Sequence, residues 1–499
     1  MTIDPERIPV IVGVGQVSDR PEHAGDGLDS GGLMVEALRR ANADAGGGWL
    51  AAADHLAVIG QISWPQLNPL DPAVAEALGM SAATTEQTPP HGETPVRLLN
   101  EAANRIGAGK ARICAVTGGE ALRTAGQLAK ARATKDAPKK DALRDAPHRK
   151  HTGYAQSHGL VVPVDVYPLY ENACRAAWGQ SLADAQHESG TIWSHMSEVA
   201  AANPAAWMRT PFGPQEIVAP DADNRPIAFP YTKLQVANAA VNMGAGFIVA
   251  SLAEARRRGL DEARLVHIGH GAGANEPTDI LARANYHASP GMAAVLEETL
   301  ARNDVAADAI DHVELYSCFP CVPKMARRII GWPAQRPATV FGGLTFGGGP
   351  IGNYMSHAIA AMVHTLRGTG ETGLLFGNGG YATHNHAIML SGRATGAAFP
   401  QDFDVQARAD AARGAVPPLD ETYAGAAMLE TFTVHYARDG SARLGTVVAL
   451  TPDGARTLAI VPADDGATIA ALTDGRTEPV GRPGRISREG EALSQWHFA

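Results

Sequence analysis

Two passages set far apart in the chain carry the same punctuation, and that repetition limits the folds open to it. Residues 33–60 read LMVEALRRANADAGGGWLAAADHLAVIG: apolar positions at helical spacing, a glycine loop, then a short apolar run. Residues 293–316, AAVLEETLARNDVAADAIDHVELY, follow the same order. Each is succeeded by a second matched pair, residues 98–120 (LLNEAANRIGAGKARICAVTGGE) and residues 357–380 (HAIAAMVHTLRGTGETGLLFGNGG). Both members of that pair read as helix, turn, strand and a Gly-Gly turn. The strands lie about 55 residues apart in the first half, Val58 to Ile113, and about 62 in the second, Val313 to Leu375. A helix buries one face at a 3.6-residue period, whereas a strand covered on both faces is continuously apolar. The pattern predicts a duplicated α/β architecture whose halves complete each other's core.

The stretches around this repeat are of other kinds. The opening IPVIVGVG reads as a buried strand ending in a tight turn, and its GxG does not extend to the GxGxxG of a dinucleotide site. Residues 130–150 hold eight Lys or Arg against three Asp, either a solvated face or a place to capture a phosphorylated carrier. Residues 170–190 look helical, NPAAWMRTPFG (203–213) looks like an ordered loop, and residues 233–253 have the character of a long helix or a buried strand. Residues 392–420 read as a boundary and linker. After them come short Thr/Val-rich runs split by DG and PDG turns, which favour hairpins and a small antiparallel β-barrel. The expected layout is a first half over 1–270 with an insertion near 121–230, then a second half over 271–395. A linker over 396–420 and a barrel over 421–499, with OB-like topology among its candidates, complete it.

A formal net charge of −10 on 499 residues argues against a general nucleic-acid surface. Four cysteines are too few for a disulfide framework, and the CFPC at Cys318 and Cys321 has no second CxxC to make a metal or redox set. No secretory leader and no apolar run of membrane-spanning length are evident, so no membrane partner and a cytoplasmic location are expected.

Three passages stand in a telling order: EAANRIGAGKARICAVTGGEA (101–121), DHVELYSCFP (311–320) and GGLTFGGGPIG (342–352), with NPAAWMRTP (203–211) after the first. Through them residues 6–391 resemble the thiolase superfamily, in particular its sterol-carrier-type and thiolase-like members. The resemblance implies a five-layered α/β fold that binds acyl-CoA and forms or cleaves 3-ketoacyl-CoA thioesters. That chemistry needs a cysteine thiolate, a base to activate it, a second group to move a proton at the α carbon, and oxyanion donors. Carried over by the resemblance, the attacking cysteine falls near Gly92 in HGETPVRLLN, beside His91. The histidine of the family's GHP falls at Gly349, and the second reactive cysteine near Phe376 in LLFGNGG. The family's NEAF or HDCF becomes YSCF, with Tyr316 replacing Asn or His while Cys318 and Phe319 fit. Four departures on chemistry remove the expectation of standard acetyl-CoA C-acetyltransferase activity. The glycines at 342, 343, 347, 348, 349 and 352 fit either a thioester pocket wall or pure architecture; GxxxxGK[ST] is absent, so they are no nucleotide loop.

Three residues are candidates for surviving chemistry. Cys318 is a replacement nucleophile or a buried structural thiol. His384, on a strand where it faces the same way as His386, is a base or a packed neutral ring. His357 reaches the space vacated at Gly349, or caps its helix. Gly92, Tyr316, Gly347, Gly348, Gly349, Asn353, Phe376 and Asn378 are the expected substrate-binding set. The expected function is acyl-CoA recognition with a nonclassical acyl transfer or carbon–carbon cleavage; the alternative is a noncatalytic CoA-binding or protein-assembly module. CoA or acyl-CoA is the expected ligand, with no permanently bound cofactor and no metal. A homodimer, or a further protein partner held through the barrel, is the expected assembly.

Overall fold

The computed structural model describes residues 4–132, 153–490 and 492–499. In chain order the strands of the main body are β1 (Pro9–Ser18), β2 (His55–Ile59), β3 (Thr84–Thr88), β4 (Ile113–Ala121), β5 (Pro226–Ala228), β6 (Tyr231–Thr232), β7 (Asn242–Ser251), β8 (Val266–Asn275), β9 (His312–Leu315), β10 (Thr372–Gly379) and β11 (His384–Ser391). Nine of them form one run, β3-β2-β4-β7-β1-β8-β11-β10-β9. Its middle is thin, because β1 and β8 share only the pairs Val10↔His267 and Ile11↔Val266. On either side the order and sense repeat. β2 runs parallel to β4, β4 antiparallel to β7 and β7 antiparallel to β1. Likewise β9 is parallel to β10, β10 antiparallel to β11 and β11 antiparallel to β8. The duplication read from the sequence is thus present in the pairing itself.

Helices fill the layers between and outside the two sheets. Thr94–Gly107 and Tyr354–Leu366 touch each other and strands of both halves. Tyr354–Leu366 is buried on almost every side, as an apolar-all-round helix must be. Ser30–Asp44 and Pro290–Arg302 cover the outer faces, each started by a side-chain cap, Asp29 on Gly32 N and Ser289 on Met292 N. The result is a five-layered α/β body. The opening GxG is not a turn as expected: β1 runs on to Ser18, and a Cβ on Gly15 would stand 2.1 Å from Ala37 O. Glycine here lets Ser30–Asp44 lie close against the sheet.

Residues 170–190 are not one helix. Pro163–Ala177 ends before Gly179 at φ 66°, and Leu182–Ala202 restarts on a Ser181–Asp184 capping box. Within residues 233–253 a 3-10 turn, Lys233–Gln235, and an irregular stretch lead into the buried strand β7, and helix Leu252–Arg257 begins just after it. The insertion is pinned to helix Cys321–Ile330 by a fully buried pair, Lys324 Nζ to Glu171 Oε1 at 2.6 Å. Of the basic stretch 130–150, residues 133–150 lie outside the described residues.

Beyond β11, the segment expected as a linker carries helix Gln406–Ala412 and lies along β8 through Gly273 N→Phe403 O and Val405 N→Gly273 O. Five strands follow: β12 (Gly425–Tyr436), β13 (Ala442–Leu450), β14 (Arg456–Pro462), β15 (Pro483–Ser487) and β16 (Gln495–Phe498). They close as β12-β13-β14-β16-β15-β12, antiparallel except for the short β14–β16 contact. Closure leaves no free edge within the ring, though β5 of the insertion adds to β12 at Ala228↔His435. Arg456 fastens the barrel to the main body: it is fully buried, bidentate on Glu430, and donates to Leu281 O and Arg283 O at 2.6 Å each. No helix among the described residues is long and apolar enough to cross a membrane.

Candidate functional site

A cavity of about 440 Å³ opens where the C-terminal ends of β9 and β10 meet the turn before helix Thr94–Gly107, the start of helix Pro163–Ala177 and the glycine loop. Of the residues expected there, Gly92, Tyr316, Cys318, Gly349 and Asn378 line it.

The decisive contact is between the first two. A Cβ on Gly92 would lie 2.3 Å from Tyr316 Oη and 2.1 Å from Asn378 O. The end of the tyrosine therefore occupies the volume that any side chain at position 92 would need. The Asn378 carbonyl, closer still, excludes a side chain there as well. Tyr316 is set in place by Tyr316 N→Phe376 O at 3.0 Å and by edge-on packing against Tyr354. Tyr354 in turn donates to Glu314 Oε1 at 2.7 Å, and Glu314 accepts from Thr339 Oγ1 and Val340 N at the entry to the glycine loop. Burial pushes the Glu314 carboxyl up to about 7. The loop and the tyrosine thus rest on a common buried carboxyl.

Cys318 faces the cavity as a poor nucleophile. Burial raises its thiol to about 12, although the Tyr167 hydroxyl hydrogen-bonds to it. Tyr167, which the sequence did not single out, lies 3.2 Å from Asn378 Oδ1 and 3.1 Å from Gly380 O, and accepts from Ala382 N. Cys321, the other half of CFPC, is a buried free thiol turned toward Tyr167 O.

The other expected residues sit elsewhere. His357 does not reach the cavity: it is fully buried, packed on Phe341, with Nδ1 2.8 Å from Gln16 Oε1. Burial without a charged partner drops its pKa to about 3, so it is a neutral core imidazole. Gly347 packs on Phe341, and Gly348, at φ 101°, on Trp207 and Met243. Asn353 donates to Gly118 O, tying the glycine loop to β4. Phe376 is a fully buried strand side chain. His386 is buried against Asn100 and Phe403.

His384 has company at the rim. Its ring stacks on His91 with centroids 4.4 Å apart and 13° between planes, and its Nδ1 lies 2.7 Å from Asn275 Oδ1. Desolvation, then His91 and Arg283, lower its pKa to about 4. Glu93 completes the group, with Oε1 3.9 Å from His91 Nδ1. Its Oε2 is buried with no hydrogen-bond partner, and desolvation raises its pKa to about 7. His91 and Glu93 stand either side of Gly92 in HGE, the only sequence signal of this cluster; His384 arrives from the other half of the chain. Among the described residues these three form the one group whose donor atoms lie within 4.8 Å of one another in a metal-holding combination.

Near neutral pH the cavity presents a phenol, a protonated thiol and neutral imidazoles. These can hydrogen-bond a carbonyl, but they do not make the thiolate–imidazole pair an acyl-enzyme requires.

Residues 404–491 match the family model described as the thiolase-like protein type 1 additional C-terminal domain. Over 100% of both chains the fold matches a monomeric SCP2-thiolase-like protein type 1 from Mycobacterium smegmatis, at 29% identity and a TM-score of 0.81. An Ltp2–ChsH2(DUF35) aldolase matches at 18% identity and a TM-score of 0.59, over 77% of this chain and 97% of that one. The Acat5 thiolase from Ascaris suum in complex with coenzyme A matches at 14% identity and 0.56, over 77% and 99%. The last two share the fold alone. No curated protein matches the sequence.

Proposed function

The chain is a thiolase-like protein with an additional C-terminal β-barrel domain, and from that premise we propose that it binds the thioester end of an acyl-CoA without carrying out thiolase turnover. The observation that carries this reading is the overlap at Gly92: Tyr316 Oη and Asn378 O fill the space of any side chain at the position to which the resemblance assigns the attacking cysteine, while a cavity of about 440 Å³ stays open beside them. That volume is within the ordinary range for small-molecule sites. The walls are mainly apolar, with His91, the Tyr167 and Tyr316 hydroxyls, Cys318 and Asn378 as the polar side chains, a composition suited to an acyl carbonyl and its neighbouring methylenes. The fold is also one that holds coenzyme A in the Ascaris suum thiolase. Cys318 serves as a packing thiol in this reading, because a sulfur with a pKa near 12 supplies almost no thiolate.

Calorimetric titration of the full chain with CoA and a series of acyl-CoAs tests it. The expected result is one site, with no release of free CoA thiol over hours. Val164→Trp, which adds bulk at a half-buried lining position, is expected to abolish the heat. No binding by any thioester, or binding indifferent to Val164→Trp, refutes the assignment. Steady CoA release lost in Cys318→Ala would restore the catalytic alternative.

A further inference from the structure

We propose that His91, Glu93 and His384 are the ligands of a divalent transition-metal ion, zinc by the chemistry of the donors, at the rim of the cavity. The proposal goes beyond thioester binding and does not depend on it, since the ion would be held whether or not a carrier enters.

Two imidazoles and one carboxylate, leaving a fourth position open, are a donor set that zinc takes in reactive sites. The backbone brings them together from both halves of the molecule. His91 and Glu93 flank Gly92 at the start of helix Thr94–Gly107, and His384 begins β11 across the cavity mouth. Glu93 sits at the N-cap position yet makes no capping hydrogen bond. Its side chain is 8% exposed and its Oε2 has no partner. A buried carboxylate oxygen left unpaired is costly and calls for either a proton or a cation.

His384 is already oriented as a ligand. Asn275 Oδ1 accepts from its Nδ1 at 2.7 Å, which leaves Nε2 with the lone pair. Asn275 is held in turn by its own N–H donating to Gln406 Oε1 at 2.7 Å. Metal-binding histidines are commonly fixed by this kind of outer partner on the second nitrogen.

His91 is the part that must move. An ion lies near the plane of each ring that binds it, so two rings stacked at 13° cannot share one. His91 is 41% exposed and its Nδ1 is 3.9 Å from the nearer Glu93 oxygen, so it can turn about its side-chain bonds. Binding then draws donor atoms now within 4.8 Å to the spacing of about 3.4 Å that bonds of about 2.1 Å require. The nearby cations do not fill the site: Arg97 is paired with Glu101 at 2.5 Å, and Arg283 with Glu276 at 3.6 Å. His91 lines the cavity together with Gly92 and Tyr316, so an ion held by it would lie beside that space and could act there as a Lewis acid on a carbonyl oxygen.

The test uses metal alone. Full-length protein stripped with chelator is titrated with Zn²⁺ in a calorimeter and with Co²⁺ in a visible spectrometer. Expected are one equivalent of bound zinc and the intense visible bands of low-symmetry, four- or five-coordinate cobalt. Glu93→Gln and His384→Ala are each expected to weaken binding by at least about 100-fold, more than an outer partner costs. Asn275→Ala is expected to weaken it about 10-fold or more, and His287→Ala, at an exposed histidine, to leave it unchanged. Circular dichroism confirms that each variant is folded. Absence of stoichiometric binding, or binding unchanged in both ligand variants, overturns the proposal.

Discussion

Placing a cysteine at position 92, where the resemblance to thiolases sets the attacking sulfur, should injure the protein rather than create an enzyme. In Gly92→Cys the new Cβ would stand 2.1 Å from Asn378 O, 2.3 Å from Tyr316 Oη and 2.5 Å from Tyr316 Cζ. Relief needs a shift of about 1 Å or more in each neighbour, since ordinary contacts begin near 3.4 Å. Tyr316 is a side chain and could tilt. Asn378 O belongs to β10, whose register with β11 is set by pairs on both sides, including Gly377↔His386 and Gly379↔His384. Overpacking a core position costs about 1–3 kcal/mol. With a strand carbonyl as the obstacle, the expected loss is at the top of that range, about 3 kcal/mol. Gly92 is not among the glycines at positive φ, so the penalty is one of space and not of backbone strain. Tyr316→Asn added to Gly92→Cys removes the phenol but not the carbonyl, and should recover only part of the loss. Urea unfolding of the parent, both single variants and the double variant measures this, with thiol titration reporting access to the sulfur. A Gly92→Cys protein as stable as its parent, with a readily titrated new thiol, would refute the steric argument.

Glu93 supplies a pH-dependent prediction for the metal-free protein. Its folded pKa of about 7 lies above the ordinary 4.5, so the fold favours its protonated form. That stabilisation is whole below pH 4.5 and is lost as pH rises through 7, about 3 kcal/mol in all. Glu93→Gln should therefore be the more stable chain at pH 8 and lose less between pH 5 and pH 8; equal pH slopes in urea unfolding would contradict this. Arg456→Ala strands Glu430 and the carbonyls of Leu281 and Arg283, and should cost about 3–5 kcal/mol. It should also speed proteolysis around residues 413–420, and an unchanged cleavage pattern would mean that the barrel is held by other contacts. Cys318, with a pKa near 12, should be about one part in ten thousand thiolate at pH 8 and resist iodoacetamide; rapid labelling of the folded chain would show an exposed or activated sulfur.

The features legible in the sequence were those written in neighbouring residues. Helical and strand periods announced the duplicated α/β order and DG and PDG turns the barrel, while the run from Phe341 to Gly352 was open to either a pocket wall or pure architecture. That Gly92 and Gly349 stand where thiolases carry a cysteine and a histidine came from the resemblance, not from the residues themselves. What the sequence left open was which groups meet. His357 looked placed to reach the vacant space, yet packing buries it against Phe341 and Gln16. Phe376 and Asn353 belong to the framework, while Tyr167, from the insertion, reaches the cavity. The exclusion of a side chain at Gly92 by Tyr316, and the meeting of His91 and Glu93 with His384, join residues hundreds of positions apart. Periodicity and turn chemistry act over a few residues and are therefore visible along the chain. Steric overlap and the desolvation that moves a carboxyl or an imidazole depend on what packs from the other half, and only the closed fold sets that.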